Sequence, residues 1–339
     1  MSRESNRKGI LFMRFLVTGG TGFVGSHMAE LLISRGYDVV CPVRNISSVK
    51  HLEGIPARVV GLDQLESELS QGPPFDYVIH AAGATRALDY DEYYRANVAF
   101  TRQLLESILR VQGADALKRF VLVSSQAVSG PSPDDGTCCL ESDPPRPVSH
   151  YGRSKLEGER TAMEFSGRLP VTVVRPPTVF GPRDRDVLGL FKCARYRLAP
   201  CIAGPDRLVG IVYVEDLVEG ILGAALAPDA EGGCYFLANP EPVIWREFAL
   251  LVARVLGFHA LAVPVPLSVL KLAALAGDLS GRIRGSAALF RSEKFEEMRQ
   301  RAWVCSSEKA YAEIGWKPRT PLAEAVGKTG RWYKDHGWI

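Results

Sequence analysis

A glycine-rich run at residues 18–25, TGGTGFVG, constrains the fold of this 339-residue chain more than any other feature. It directly follows the apolar segment at 15–17 and precedes a helical apolar pattern that starts at Met28. The glycines therefore lie where a strand turns into a helix, and from Gly20 they satisfy G-x-G-x-x-G. Bare backbone at such a turn lets main-chain N–H groups and the helix N-terminus approach a pyrophosphate. An isolated motif would also suit a surface turn, but this context predicts a nicotinamide dinucleotide site.

The composition is that of an ordinary globular protein, with 46% hydrophobic and 23% charged residues. A net charge of +3 gives no indication of a nucleic-acid or membrane-surface partner. The longest apolar run, residues 261–276, is interrupted by Pro264, Pro266 and Lys271 and is too short to span a bilayer. We expect a cytoplasmic protein whose partner is a small-molecule substrate, with no nucleic acid bound and no membrane contact.

The two remaining global features are the N-terminus and the cysteines. The chain begins with polar and charged residues, and residues 1–12 lack an apolar core of signal-peptide length, so a disordered lead-in is expected, with Met13 as an alternative start. Seven cysteines form no C-x-x-C pair, and Cys138 and Cys139 are adjacent. We therefore expect free thiols, no disulfide framework and no metal site.

The first half of the chain alternates between strand and helix patterns, which predicts an α/β fold with a parallel sheet covered on both faces. After about residue 176, frequent prolines and glycines indicate a smaller, more irregular part. The prediction is a Rossmann-type doubly wound domain at 13–176 and an α/β substrate lobe at 177–339 that interleaves with it. The predicted strands are 13–18, 38–43, 57–60, 76–80, 119–124 and 171–175. The predicted helices are 23–35, 90–112, 151–166, 214–227, 245–257, 264–276, 287–299, 306–314 and 321–335.

Three side chains carry the candidate chemistry. Tyr151 and Lys155 are four residues apart at the start of a predicted helix, so they share one face. A cation beside a phenol lowers the phenol pKa, which suits proton transfer at a carbonyl or carbinol while a hydride moves to or from nicotinamide. Ser125 ends a buried strand, where ligands of open parallel sheets bind, and is placed to hydrogen-bond the substrate oxygen. A solvated helix pair and a turn cap are the alternatives.

Further motifs resemble one known group of enzymes. They follow the glycine turn in order: Val78-Ile-His-Ala-Ala-Gly83, Asn97 in Ala-Asn-Val-Ala, Val-Ser-Ser125, Tyr151 to Lys155, Arg175-Pro176 and Val214-Glu-Asp216. From Met13 to the C-terminus the chain is similar to the extended short-chain dehydrogenases/reductases, which include nucleotide-sugar epimerases and dehydratases. The resemblance implies a Ser125, Tyr151 and Lys155 catalytic set, with Lys155 also holding the nicotinamide ribose. It further implies a homodimer formed through the helices at 90–112 and 151–166.

The dinucleotide contacts follow from the glycine turn and from the resemblance, which also gives Asn97 a supporting role. Arg44 stands where NAD sites usually carry an acid at the end of the second strand, which favours NADP over NAD. Asp63 resembles the family's adenine contact, one residue beyond the usual position at Leu62. The predicted cofactor-binding residues are Gly19, Thr21, Gly22, Phe23, Val24, Gly25, Arg44, Asp63, Ala81, Ala82, Gly83, Asn97, Val123, Tyr151, Lys155 and Pro176.

The substrate side departs from the best-known members of the group. Gln126 and Ala127 replace the Asp-Glu pair of sugar dehydratases, so dehydration by that route is not expected. Thr178 stands in place of a sugar-contacting Asn of galactose-type epimerases. Arginine forks suit a diphosphate, for which Arg183, Arg185 and Arg207 are candidates, although they are equally consistent with loop charges. The predicted substrate-binding residues are Thr85, Gln126, Thr178, Arg183 and Arg207.

Three functions are compatible with the sequence. The first is an NAD(P)-dependent oxidoreductase of the nucleotide-sugar epimerase type, with Tyr151 as acid and base. The second is an NADPH-dependent carbonyl reductase or hydroxysteroid-type dehydrogenase acting on an apolar substrate. For that alternative the stretch 263–275 could line a pocket or touch a membrane, but core packing is the favoured interpretation. The third is a non-catalytic dinucleotide-binding regulator, disfavoured by the intact catalytic set.

Overall fold

The computed structural model describes residues 13–47, 49–288 and 290–339, so the expected lead-in at 1–12 lies outside the described residues. The strands are β1 (Arg14–Thr18), β2 (Asp38–Val43), β3 (Arg58–Gly61), β4 (Tyr77–His80), β5 (Arg119–Val123), β6 (Val171–Arg175), β7 (Thr178–Phe180), β8 (Leu198–Ile202), β9 (Leu208–Val209), β10 (Ile211–Tyr213), β11 (Cys234–Phe236), β12 (Val243–Ile244), β13 (Leu261–Val265) and β14 (Ala302–Trp303). The helices are α1 (Phe23–Ser34), α2 (Leu65–Gln71), α3 (Tyr90–Tyr94), α4 (Phe100–Gln112), α5 (His150–Met163), α6 (Leu188–Arg195), α7 (Val214–Leu226), α8 (Trp245–Val255), α9 (Leu267–Arg284), α10 (Ser292–Met298), α11 (Glu308–Glu313) and α12 (Leu322–Asp335).

A parallel sheet in the order β11-β6-β5-β4-β1-β2-β3 forms the centre of the described structure. Its middle strands β1, β4, β5 and β6 are buried along their whole length, which explains their β-branched, alternation-free sequences. One apolar core packs on each face of the sheet. The predicted α/β, Rossmann-type doubly wound fold is confirmed. The strand order reverses between β1 and β4, and ligands of such sheets bind beyond the strand ends at that point.

The helix predicted at 90–112 is interrupted. It is observed as α3 and α4 joined by a π-helical turn, Arg95–Ala99. Hydrophobic periodicity does not reveal one extra residue in a turn, so the sequence did not predict it. Such insertions are frequent at functional sites, and this one contains Asn97.

The second half of the chain contributes to the central sheet. β11 pairs in parallel with β6, with Tyr235 opposite Val174, and so forms one edge. The remaining strands make small sheets, β10-β7, β12-β9-β14 and β13-β8. The domain boundary at 176 stays a prediction. The second half of the chain returns to the central sheet at Cys234, where β11 begins.

The stretch around 261–284 corrects two predictions. The helix expected at 264–276 is instead strand β13 followed by α9, which begins at Leu267 and continues to Arg284. Pro266 lies between them, since proline cannot donate to a ladder but is tolerated before the first helical turn. The core packing favoured for 263–275 is wrong, because Leu272 is 68% exposed and most of its neighbours are also exposed. Within the described ranges, no helix combines the length and apolar character that a membrane crossing requires.

Candidate functional site

The glycine turn lies between β1 and α1 and presents bare backbone. Gly19 has φ +75°, and a Cβ there would lie 2.6 Å from the backbone N of Ala82. Gly22 N–H donates to Gly19 O at 2.8 Å, which closes the turn, and Gly22 is the extended residue before α1. Thr21 lies in this turn, and Phe23, Val24 and Gly25 form the first turn of α1. This close approach of two backbones at a helix N-terminus fits a pyrophosphate group.

A buried hydrogen-bond chain holds the ends of β1 and β4 together. His80 Nδ1 lies 2.6 Å from Thr18 Oγ1, and His80 Nε2 lies 2.9 Å from Thr101 Oγ1. Thr101 donates its hydroxyl proton to Asn97 O at 2.9 Å, so Nε2–H of His80 donates to Thr101 and Nδ1 accepts from Thr18. Burial, with a contribution from the charge of Lys155, lowers the pKa of His80 to about 3. His80 is therefore a neutral structural residue.

Asn97 connects the loop after β4 to α5. Its Oδ1 accepts from Ala84 N at 2.8 Å, and its Nδ2 donates to Ala84 O at 3.0 Å and to Ser154 Oγ at 2.9 Å. The side chain is 3% exposed, so Asn97 is not a surface asparagine. These bonds fix the loop of Ala81, Ala82 and Gly83, which lies against the glycine turn.

Ser125, Tyr151 and Lys155 meet at the carboxyl end of β5. Ser125 follows this strand, and its Oγ accepts from Ala127 N at 3.1 Å. Tyr151 and Lys155 lie in the first turns of α5, and Lys155 Nζ donates to Val123 O at 2.7 Å. The two elements pack so closely that a Cβ on Gly152 would lie 2.5 Å from Ala127 O.

The ionisation of this group differs from the expectation. Burial raises the pKa of Tyr151 to about 12, and the hydroxyl of Ser125 opposes the rise only in part. The lowering of the phenol pKa by Lys155, which the spacing suggested, is not seen. The Lys155 amine is directed to Val123 O, and burial lowers its pKa to about 8. At neutral pH Tyr151 therefore carries its proton.

Arg44 and Asp63 lie at the ends of neighbouring strands. Arg44 directly follows β2, Asp63 follows β3, and the strand ends Val43 and Gly61 are paired. Both side chains are exposed. They therefore lie beyond the carboxyl ends of β2 and β3, the two strands next to β1, where the adenosine half of a dinucleotide was predicted.

The predicted substrate residues are distributed unevenly. Gln126 is buried beside Ser125, its N–H donates to Pro176 O at 2.9 Å, and within the described chain its Nε2 has no hydrogen-bond partner. Thr85 is exposed in the loop after β4. Thr178 opens β7 and donates its backbone N–H to Gly210 O. Gln126, the chain neighbour of Ser125, is thus the member of this set whose buried side-chain donor has no partner in the described structure.

The three arginines considered for a diphosphate are engaged elsewhere. Arg183 contacts α1, where its Nη2 lies 2.7 Å from Glu30 Oε2. Arg185 lies over the ring of Trp338 at 5.3 Å. Arg207 is 9% exposed and donates to the carbonyls of residues 205 and 298. None of them is grouped with Tyr151.

Sequence reasoning missed the contribution of α10. Ser149, the N-cap of α5, donates to Glu297 Oε1 at 2.8 Å, and the N–H of His150 donates to Glu293 Oε1 at 2.8 Å. The two carboxylates lie far along the chain from their partners, at separations of 148 and 143 residues respectively. No local motif signals such a contact.

The comparisons with known proteins agree with this geometry. The model of the "NAD dependent epimerase/dehydratase family" matches residues 15–237. A 4-hydroxy-2-methyl-3-oxo-4-farnesyl-3,4-dihydroquinoline-1-oxide ketoreductase of Stigmatella aurantiaca is 30% identical over 78% of this chain and 80% of its own. The ceramide reductase of Caulobacter vibrioides is 26% identical over 95% of each chain. The UDP-glucose 4-epimerase of Thermotoga maritima, solved with UDP-glucose, shares the fold with a TM-score of 0.77 at 22% identity, covering 96% of this chain and 99% of its own.

Proposed function

The chain belongs to the NAD dependent epimerase/dehydratase family, and on that premise we propose that it is an NAD(P)-dependent carbonyl reductase acting on an apolar ketone. The observation that carries the proposal is the half-buried phenol of Tyr151 beside Ser125, with a pKa raised to about 12. A phenol that keeps its proton at neutral pH is suited to donate it, which is the requirement of ketone reduction.

The residues present fit a nicotinamide dinucleotide. Backbone N–H groups of the glycine turn, opened by Gly19, would hold the pyrophosphate at the N-terminus of α1. Exposed Arg44 would pair with a ribose 2′-phosphate, which favours NADP. Lys155 has two N–H donors beyond the bond to Val123 O and would hold the nicotinamide ribose. A bound dinucleotide supplies the hydride in reduction and accepts it in oxidation.

The protein's own side chains handle the substrate oxygen. Ser125 donates a hydrogen bond to the ketone oxygen and orients it toward Tyr151. Tyr151 then transfers its phenolic proton to that oxygen, which becomes the hydroxyl of the alcohol product. Gln126 Nε2, buried without a partner among the described residues, donates a second hydrogen bond to the substrate. In the reverse direction Tyr151 would have to be deprotonated first, and its pKa opposes this near neutrality.

An apolar substrate is favoured over a nucleotide sugar by the state of the arginines. A diphosphate requires cationic partners, and Arg183, Arg185 and Arg207 are held by Glu30, Trp338 and backbone carbonyls respectively. The relatives named as a farnesyl-quinoline ketoreductase and a ceramide reductase act, by their names, on lipid-like molecules. The epimerase hypothesis, placed first on sequence grounds, therefore becomes the alternative.

The test is a turnover assay on the purified protein. NADPH or NADH is incubated with apolar ketones, among them long-chain keto-lipids and ketosteroids, and with UDP- and dTDP-sugars. We expect net NADPH oxidation with apolar ketones, lowered roughly 100- to 10,000-fold in Tyr151→Phe. The matched control is Tyr94→Phe, a tyrosine that is 44% exposed on α3.

Two results would overturn the proposal. Interconversion of sugar isomers without net change in NADPH would establish the epimerase. Dinucleotide binding without turnover of any substrate, and with no effect of Tyr151→Phe, would favour a non-catalytic regulator. Thermal shift with NADPH is recorded for each variant, because it separates loss of chemistry from loss of binding.

A further inference from the structure

We propose that α9 and the adjoining strand pair β13–β8 dock on the surface of an anionic lipid bilayer. We refer to this region as the docking face and define it as the exposed apolar side chains of residues 196–198, 261–263 and 267–284. The proposal goes beyond the reductase function and does not depend on it.

The outer face of α9 is apolar although it is exposed. At about 100° per residue, five of the six large apolar side chains that α9 exposes fall within an arc of about 120°. These side chains are Val269, Leu272, Leu275, Leu279 and Ile283. The residues buried by the rest of the protein, Ala274 and Gly281, point to the opposite side of the helix. An amphipathic helix normally shows the reverse arrangement, with its apolar stripe against the core.

The inner face of α9 packs against the rest of the protein. The exposure of the apolar outer face is therefore not due to a loosely attached helix. A Cβ on Gly277 would collide with the carbonyl oxygen of Phe290, which shows that the two backbones touch. Asp278 forms an ion pair with Arg291 at 2.8 Å, and Arg291 also donates to Leu88 O at 3.1 Å. α9 is therefore held in one orientation against the loop that leads into α3.

The strand pair before α9 extends the apolar surface. β13 pairs in parallel with β8, and the register places Leu261 opposite Leu198. Leu261 is 77% exposed, and Leu198, Val263 and Tyr196 are exposed as well. Leu261 and Val263 belong to β13, which directly precedes α9 in the chain. Leu198 belongs to β8, the partner strand of β13, and Tyr196 lies just before β8. Large apolar side chains exposed together on neighbouring segments indicate an interaction site.

The charged residues in the chain segments that carry the docking face are mostly basic, which favours an anionic partner. Residues 187–205 and 248–277 contain no Asp or Glu, and every charged residue in them is Lys or Arg. Within α9 the one acid, Asp278, is already paired with Arg291. These basic residues are Lys192, Arg195, Arg197, Arg254 and Lys271, joined by Arg282 and Arg284 at the end of α9. A second copy of the same face would bring like charges together, whereas an anionic bilayer complements them.

The geometry is that of a helix lying in the membrane plane. α9 has 18 residues and carries four charged residues, so it does not span a bilayer. With leucines and an isoleucine on one side and Lys271 and Arg282 on a flank, it matches the pattern of interfacial helices. The small net charge of +3 suggested no membrane contact, but it averages over the chain and conceals this local cluster.

The experiment is flotation of the full-length protein with vesicles. One set is phosphatidylcholine alone, and the other contains about 30 mol % phosphatidylserine. We expect binding to the anionic vesicles at roughly 0.1 M salt, at least tenfold weaker binding to neutral vesicles, and weakening at roughly 0.5 M salt. The double variant Leu272→Ser/Leu279→Ser is expected to lose at least tenfold in binding. The matched control is Leu140→Ser/Leu226→Ser, two leucines exposed by 47% and 38% elsewhere.

Three outcomes would overturn the proposal. The first is absence of binding by the wild-type protein to anionic vesicles. The second is equal loss of binding in both double variants. The third is a dimer that Leu272→Ser/Leu279→Ser converts to monomer while vesicle binding is unchanged, which would assign the face to a second copy. Thermal unfolding and NADPH binding of each variant confirm folding. Vesicle binding without ketone reduction would refute only the proposed function.

Discussion

Ser149 donates a hydrogen bond to Glu297, with 2.8 Å between Oγ and Oε1, and thereby ties the N-cap of α5 to α10. The same Oγ accepts from Gly152 N at 3.1 Å, as an N-cap should. Tyr151 lies between the two residues of this cap, so the position of the phenol depends on a helix from the C-terminal lobe. α10 in turn follows α9, and Arg291 connects the two helices through Asp278.

Replacement of this cap should destabilise the protein. Ser149→Ala leaves Gly152 N–H without its acceptor and removes one of the donors to the Glu297 carboxylate, which keeps Lys294 at 3.2 Å. The free energy of unfolding is expected to fall by about 1 kcal/mol. Urea unfolding measures the loss. Ser34→Ala, which removes an exposed hydroxyl bonded to Leu31 O, is the control and should change stability by less than about 0.5 kcal/mol. Equal losses would mean that the hydrogen bonds of Ser149 stabilise the fold no more than those of an exposed serine.

The glycine turn should not tolerate a methyl group. Gly19→Ala combines a positive φ with a Cβ 2.6 Å from Ala82 N, so we expect loss of NADPH binding together with destabilisation. Gly36→Ala has a similar φ, +81°, but nothing lies within 4 Å of its Cβ. It should cost only about 1 kcal/mol and leave NADPH affinity unchanged. Unfolding and fluorescence titration of both variants separate backbone strain from site disruption. Retained NADPH binding in Gly19→Ala would refute the assignment of the glycine turn as the pyrophosphate site.

Arg44 should discriminate between the two dinucleotides. A guanidinium–phosphate contact is worth roughly 1.5–3 kcal/mol, so Arg44→Ala is expected to weaken NADPH binding by roughly 10- to 100-fold. NADH affinity should change little, because NADH lacks the 2′-phosphate. Fluorescence titration at constant ionic strength gives both constants, with the exposed Arg35→Ala as the control for lost charge. Equal weakening of both dinucleotides would contradict the NADP preference.

Gln126 should bind substrate without stabilising the fold. Its buried Nε2 lacks a partner in the described structure, so Gln126→Leu removes a polar atom that costs desolvation energy. We expect an unchanged or raised free energy of unfolding together with a KM for ketone raised about tenfold, as one lost hydrogen bond of about 1.4 kcal/mol predicts. Steady-state kinetics and urea unfolding are needed together. A KM that does not move would leave Gln126 with no role at the substrate.

His80 should make stability depend on pH. Its folded pKa of about 3 is below the ordinary value of 6.5, so the unfolded chain binds the proton first. The free energy of unfolding is therefore highest above pH 6.5 and falls, as pH drops toward 3, by up to about 1.4 kcal/mol per unit. His27, with a pKa lowered by burial to about 4, acts in the same window.

The variant His80→Gln keeps a donor and an acceptor for Thr101 and Thr18 but removes the titration. Between about pH 6.5 and pH 5, its unfolding free energy should fall less steeply than that of the wild type, by up to about 1.4 kcal/mol per unit. Urea unfolding over this range measures the slope, and His259→Gln controls for loss of an exposed imidazole. Parallel slopes for wild type and His80→Gln would show that His80 titrates normally.

The sheet was predictable because its strands are short, apolar and β-branched. β2 and β6 match the predicted strands at 38–43 and 171–175, and the other predicted strands of the sheet differ from the observed ones by about one residue at either end. β11 was not predicted, since a three-residue strand has no pattern of its own. The glycine turn and the Tyr151 to Lys155 spacing could also be recognised from the sequence, because each is formed by residues close together in the chain.

The rest of the site depends on tertiary contacts. The spacing of Tyr151 and Lys155 indicates a shared helix face, but not that Val123 O takes the amine or that burial raises the phenol pKa. Arg183 and Arg207 looked like diphosphate ligands because a sequence does not show which acceptors a guanidinium will reach. The exposure of α9 was missed because an apolar helix predicts burial unless the structure shows that nothing covers it.

The late position of β11 in the chain has a consequence for synthesis on the ribosome. β6 ends at Arg175, but its neighbour β11 begins only at Cys234. Until that segment emerges, β6 is an unpaired edge of sequence VTVVR, and such edges template pairing with other chains. A chain whose synthesis stops between these points would therefore aggregate. Efficient production requires that the C-terminal half is completed before the free edge of β6 pairs with another chain.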